Sequence, residues 1–146
     1  MPKTVIGIVE KVTLVGNKNV STDAVFDTGA RLTSIDIKLA SRAQVGPIIR
    51  TTRVKNPSTK MVTKRPVVKV KVNIKGRFYQ CEANLQDRSH MTADMLIGRN
   101  VLAGRFIVDP AKNLKRFEKM QKRKNSAKAM GLKSIMEFSN GNGDDR

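Results

Sequence analysis

Short runs of β-branched residues alternate with turn-forming clusters through the first 110 residues. Val5-Ile6-Gly7-Ile8-Val9 and Lys11-Val12-Thr13-Leu14-Val15 predict strands, Gly16-Asn17-Lys18-Asn19 a hairpin turn, and Ser21 to Phe26 a further strand. Ile48 to Lys55 and Met61 to Ile74 flank Asn56-Pro57-Ser58-Thr59, which predicts a second hairpin. In its second arm Val68, Val70, Val72 and Ile74 alternate with Lys69, Lys71, Asn73 and Lys75. That period of two gives a strand with one apolar and one basic face. Lys75-Gly76 turns the chain into Arg77 to Leu85. Met95-Leu96-Ile97 predicts a short apolar strand before Gly98, Asn100 to Ala103 a short helix, and Phe106-Ile107-Val108 a last strand.

Beyond Pro110 the pattern changes, which divides the chain into a β-rich domain over 1–110 and an extension over 111–146. From 112 to 128 the residues favour a helix, with Leu114, Phe117 and Met120 at helical spacing. Asn140 to Arg146 reads as disordered. The extension holds ten Lys/Arg against four Asp/Glu. The first 110 residues hold 19 against eight, so the basic character is not confined to the tail.

A net charge of +17 over 146 residues calls for an acidic partner: nucleic acid, a ribosome, an anionic membrane or an acidic peptide. The membrane is the weakest of these. No apolar run approaches the ~18 residues of a membrane helix, and no strongly amphipathic helix stands out. Met1-Pro2-Lys3-Thr4 runs straight into a strand pattern and does not read as a signal peptide. A single cysteine, Cys81, rules out an intrachain disulfide and fits a reducing, cytoplasmic setting. One histidine and one cysteine cannot form the usual His/Cys zinc site, and there is no Gly-x-x-x-x-Gly-Lys loop, so neither a metal nor another cofactor is expected. His90, in a polar turn, reads as a surface or structural residue, and Cys81, in alternation with Tyr79, as strand core.

Candidate chemistry centres on Asp27-Thr28-Gly29-Ala30, which follows a strand. An aspartic protease needs its carboxylate at the tip of a tight loop, where glycine lets the backbone turn. The threonine hydroxyl can tie two such loops together. By itself the tripeptide reads more simply as an ordinary Asp/Gly turn. Met95-Leu96-Ile97-Gly98-Arg99-Asn100 changes the weighting. A hydrophobic-hydrophobic-Gly strand followed by Gly-Arg-Asn and a short helix, in this order and at this separation from Asp27, resembles the retroviral-type proteases.

The likeness narrows over roughly residues 5 to 112. Ile6-Gly7 through Glu10, Phe26-Asp27-Thr28-Gly29-Ala30-Arg31, Lys64-Arg65-Pro66-Val67-Val68, and Leu85-Gln86-Asp87-Arg88-Ser89-His90-Met91 through Leu96-Ile97-Gly98-Arg99 resemble the retropepsin-like proteins labelled "ATP-dependent zinc protease". Their relatives lie beside ATP-grasp glutamate ligases that modify ribosomal proteins. The resemblance implies a mostly β, closed acid-protease barrel with one short helix, followed here by the basic extension. It also implies Asp27, Thr28 and Gly29 as catalytic residues and a homodimer, because the chain supplies one D-T-G where two carboxylates are needed.

Several readings stay open. Arg31, Arg65 and Arg99 either line the cleft and bind substrate carboxylates or, with Arg88, form structural ion pairs with Glu82, Asp87 or Asp94. The segment Thr51 to Thr63, at the place of a flap, lacks glycine and is basic. Lys69 and Lys71, with Lys115, Arg116, Lys119, Lys122, Arg123 and Lys124, are candidates for nucleic-acid contact, against the plainer reading of a solvated face. Aromatic residues make up only 4% of the chain, and Phe78-Tyr79, the one pair able to stack on bases, is more simply core. Two functions follow: a homodimeric aspartic-type endopeptidase acting on acidic or ribosome-associated peptides, or a non-catalytic ribosome- or RNA-binding protein on the same scaffold.

Overall fold

The computed structural model describes residues 2–143, with side chains as far as residue 131. Its elements are β1 (Thr4–Gly7), β2 (Val9–Val15), β3 (Asn19–Phe26), β4 (Thr33–Asp36), α1 (Ile37–Ala43), β5 (Ile48–Lys55), β6 (Val62–Ile74), β7 (Arg77–Gln86), β8 (Met95–Ile97), α2 (Arg99–Leu102), β9 (Phe106–Asp109) and α3 (Leu114–Gly143).

Six strands pair in the order β2-β3-β8-β4-β7-β6, and β6 pairs back onto β2 through Thr13↔Asn73, Leu14↔Val72 and Val15↔Lys71. The ring is thereby a closed barrel without a free edge. It is the mostly β, retropepsin-like barrel that the strand pattern and the motifs anticipate. The alternation read in β6 is what fills it. Val68, Val70, Val72 and Ile74 are buried, whereas Lys69, Lys71 and Lys75 face solvent. Ile35, Leu39, Met95 and Ile97 complete the interior from the other side. β5 lies outside the ring on β6, and the outer half of that hairpin projects from the barrel with exposed or half-buried side chains.

Two stretches depart from the pattern reading. β4 and α1 carry no clear periodic signal, yet Thr33, Ser34, Ile35 and Asp36 are all buried. Their polar groups are paired inside the protein. Asn100 Oδ1 accepts from Thr33 N (3.0 Å) and Oγ1 (2.9 Å), Ser34 Oγ donates to Asn84 Oδ1 (2.8 Å), and Asp36 Oδ1 accepts from Arg88 N (2.8 Å). Phe78, read as core, is instead 62% exposed. It shares its β7 face with the exposed Gln80, while Tyr79 and Cys81 turn inward, Tyr79 packing on Phe106 at 5.3 Å between ring centroids.

The first and last strands meet on one side of the barrel. β1 pairs with β9 in parallel, from Thr4↔Phe106 to Gly7↔Asp109. The carboxylate of Glu10, 6% exposed, accepts from Gly7 N (2.9 Å), meets Lys75 at 3.1 Å, and lies 3.9 Å from Lys112. Asn113 Nδ2 donates to Val9 O (2.8 Å) just before α3 begins. Asn113, Phe117, Met120 and Lys124 form the half-buried stripe that seats α3. Leu114, expected on that stripe, is exposed, and Asn113 one residue earlier takes the inward position. Arg116 pairs with Asp23, and Lys124 Nζ donates to Ser89 O (2.8 Å). Of the segment expected to be disordered, 140–143 continues α3, since extending a formed helix costs far less than starting one, and 144–146 lie outside the described residues.

Candidate active site and a cationic cleft

Asp27 follows β3 directly, and the sheet register decides its neighbours. β3 runs parallel to β8 with Phe26 opposite Ile97, so Asp27 lies beside the end of β8, where its N–H donates to Ile97 O (2.9 Å). β4 runs antiparallel on the other side of β8, so the connection from Asp27 to Leu32 must cross its end. Gly98 makes that crossing possible. A Cβ there would come within 2.6 Å of the Leu32 carbonyl carbon and 2.9 Å of Ala30 O. Asp27 Oδ1 accepts from Gly29 N (2.8 Å), closing the loop on its own carboxylate. Asp27 is half-buried, while Thr28 and Gly29 are exposed.

The Gly98-Arg99-Asn100 turn clamps this loop from below. Arg99 N donates to Ala30 O (2.7 Å), Asn100 N to Arg31 O (3.2 Å), and Arg99 Nη1 to Thr28 O (3.1 Å). The Asn100 amide bridges the layers, accepting from Thr33 and donating to Glu82 O (2.8 Å). Arg99, read as a candidate ligand for substrate, has its guanidinium on the loop backbone.

A cleft of about 420 Å³ opens beside the loop, starting at Ala30 and Arg31 and roofed by Thr52 to Lys55 of the β5–β6 hairpin. Arg31, Arg53, Lys55, Arg65 and Arg88 line it, and no acidic side chain does. Arg31 and Arg65, two of the candidates for substrate binding, are thus brought to one cleft. Arg53, Lys55 and Arg88 join them unforeseen. For Arg53 and Lys55 the available signal is their alternation on a flap-like arm. Among the described residues, none of Arg31, Arg65, Arg88 and Arg99 has a carboxylate within 4 Å, and Glu82 pairs with Arg50 instead. The structural ion pairs read as alternatives are therefore not formed. Arg88 is only 4% exposed, and its Nε donates to Ala93 O (3.1 Å). Burial pulls the Arg88 pKa below its usual range, and Asp94 and Asp36 partly offset this. The Arg88 guanidinium is thus largely desolvated, with no carboxylate within 4 Å of it among the described residues.

Asp27 and Thr28 also border a second hollow, of similar volume, walled by Ile8, Val25, Phe26 and Val108 and by Pro110 and Phe117 at the start of the extension. The remaining candidates are dispersed. Lys69 and Lys71 lie on the outer face of β6, with Lys71 Nζ 5.8 Å from the Phe78 ring centroid. Lys115, Lys119, Lys122 and Arg123 are exposed on α3, and Arg116 and Lys124 are engaged with the barrel.

The model of the RimB-like family, described as retropepsin-like aspartic endopeptidase RimB, matches residues 36–119. The chain belongs to the RimB-like family. The matched span begins after the Asp27 loop and takes in most of the cleft wall, the Gly98-Arg99-Asn100 clamp and the first turns of α3. Among solved structures, a protein of unknown function from Legionella pneumophila is similar at 21% identity and a TM-score of 0.54, over 75% of this chain and 95% of that one. At that identity the likeness speaks for the barrel fold alone. The protease of simian foamy virus is similar at 15% identity and a TM-score of 0.48, over 62% of this chain and 87% of that one. No curated protein matches significantly. Among the described residues, no helix is long and apolar enough to cross a membrane.

Proposed function

We propose that the chain is one protomer of a homodimeric aspartic peptidase that cleaves acidic peptides. The observation that carries this reading is the cleft beside the Asp27 loop, walled by five cationic side chains and no carboxylate. Such a wall repels basic peptides and rewards Glu or Asp side chains with charge-assisted hydrogen bonds. The narrower resemblance, to proteins found beside glutamate ligases that act on ribosomal proteins, makes a glutamate tail on such a protein the leading substrate.

The chemistry requires two copies. Across a two-fold axis, Asp27 of one protomer faces the same residue of its partner, and two such carboxyl groups hold one proton between them. The ionised one takes a proton from a water, which attacks the scissile carbonyl. The other donates its proton to the carbonyl oxygen. When the tetrahedral species collapses, the C–N bond breaks, the amine leaves with a proton from one carboxyl group, and a hydroxyl of the tetrahedral carbon returns a proton to the other, so the dyad again holds one. The exposed Thr28 hydroxyl is available to the partner's loop. The cations of the cleft act on binding and register, not on the bond itself.

The test is cleavage of a glutamate-rich peptide against a lysine-rich one of equal length, with molar mass measured in parallel. A dimer that cleaves only the acidic peptide, and loses that activity in Asp27→Asn while its fold is kept, is the expected result. Equal turnover by Asp27→Asn removes this residue from the mechanism.

A further inference from the structure

The free face of α3 is a basic ridge with nothing on the barrel to neutralise it. The residues that seat the helix, Phe117, Met120 and Lys124, and the residues Lys115, Lys119 and Lys122 fall on two stripes about 170° apart at the pitch of an α-helix. All three lysines of the second stripe are exposed, and among the described residues none has a carboxylate within 4 Å. They span about 10 Å along the axis. Arg123 lies at the edge of the seam, exposed. Glu118 is the sole acidic residue between 110 and 131.

We infer that this ridge is a nucleic-acid-binding surface that grips the phosphate backbone of single-stranded RNA, separate from the cationic cleft. The chemistry of the two stripes selects the partner class. Membrane binding by a surface helix needs an apolar face toward the lipid, and the apolar stripe of α3, Phe117 and Met120, is turned onto the barrel. Protein docking needs an apolar centre to the interface, and the large apolar side chains exposed on α3 among those described are Leu114, before the ridge, and Met130, which shares a shallow hollow with Lys119, Lys122 and Arg123; one methionine framed by three cations is no such centre. What remains is a row of flexible ammonium groups, which suits a regularly charged polyanion bound by counterion release. No aromatic residue accompanies the row, so the contact reads charge and spacing and not bases. The structure also sorts the basic residues of the helix. Arg116 and Lys124 fasten it to Asp23 and Ser89, and so set which face the ridge presents.

The test uses the full chain and a labelled, mixed-sequence single-stranded RNA, with binding measured over a salt series. The triple variant Lys115→Gln, Lys119→Gln, Lys122→Gln keeps good helix formers at each position. It should bind more weakly and flatten the slope of log K against log salt by about 2, at ~0.7 per phosphate contact. Its helix content and its peptide cleavage should match the parent, because the ridge lies outside the cleft. The double variant Lys69→Gln, Lys71→Gln should keep the parent slope. Two results overturn the inference: an unchanged slope in the triple variant, or an equal loss of affinity for polyglutamate or anionic vesicles, which would make the ridge a contact for acidic protein or lipid.

Discussion

Gly98 and Leu32 pass so closely that a single added methyl carbon on Gly98 would sit 2.6 Å from the Leu32 carbonyl carbon. The opposing atoms are backbone and belong to the strand-to-strand crossing that follows Asp27, so they cannot yield without moving the loop. Gly98→Ala should therefore lower stability by about 1–3 kcal/mol, the usual cost of overpacking a dense interior. Any peptidase activity should fall further than stability predicts. Urea unfolding of the variant, set against its turnover under folding conditions, separates the two effects.

Arg65 is half-buried in the cleft wall and has no acidic partner among the described residues. Arg65→Gln should weaken binding of an acidic peptide by roughly 10- to 100-fold, the worth of one hydrogen bond to a charged group. Most of the change should fall in KM, since the side chain binds and does not react. A variant with unchanged KM for the acidic peptide and a lowered kcat would argue against the cleft as its binding site.

Glu10 ties three parts of the chain together. Burial raises its pKa, but the Gly7 N–H and the nearby Lys75 and Lys112 outweigh this, and the net shift is downward. A carboxyl group lowered on folding adds stability above its unfolded pKa and loses it as pH falls through the folded value. Glu10→Gln should thus cost about 1–3 kcal/mol at neutral pH and little in strong acid. Thermal melts of both proteins from neutral pH downward should converge below the ordinary glutamate range. Parallel curves at all pH values would assign the stabilisation to other groups.

Cys81 is buried on β7, and burial pushes its thiol pKa up to about 11, with small opposing effects from Thr33 and Arg105. The thiolate is the reactive form, so the folded protein should resist thiol reagents at neutral pH. Labelling should need denaturant, and rapid modification of the native chain would contradict the buried placement.

The sequence was legible wherever a strand has one wet and one dry face. β6 is the clearest case, because every second residue from Val68 to Ile74 is apolar and buried. The two motifs either side of the Asp27 loop were legible for a different reason: their glycine and charged residues are demanded by a tight crossing. β4 was not, because Thr33, Ser34 and Asp36 look like surface residues and are buried through side-chain hydrogen bonds to Asn100, Asn84 and Arg88, each over 50 or more positions away in sequence. Hydrophobic periodicity has no access to such pairing. For the same reason Arg88 read as a candidate ion pair. Its burial depends on the loop from Asp87 to Asp94 folding back onto Asp36, whose carboxylate accepts from Arg88 N and whose N–H donates to Asp94 O. The division of the basic residues of α3 into fasteners and free lysines likewise needs the seat of the helix, which no local pattern specifies.

The β5–β6 hairpin is closed at its tip by the Asn56 side chain, whose Oδ1 accepts from Ser58 N (2.8 Å), and its register slips only at the base, between Ile48 and Arg50. The bulge bends and twists the strand at its root. Beyond it the ladder runs unbroken from Arg50↔Val67 to Lys55↔Val62, with Arg53, Lys55 and Arg65 all on it. The spacing of three of the five cleft cations is therefore fixed by backbone pairing and not by side-chain contacts.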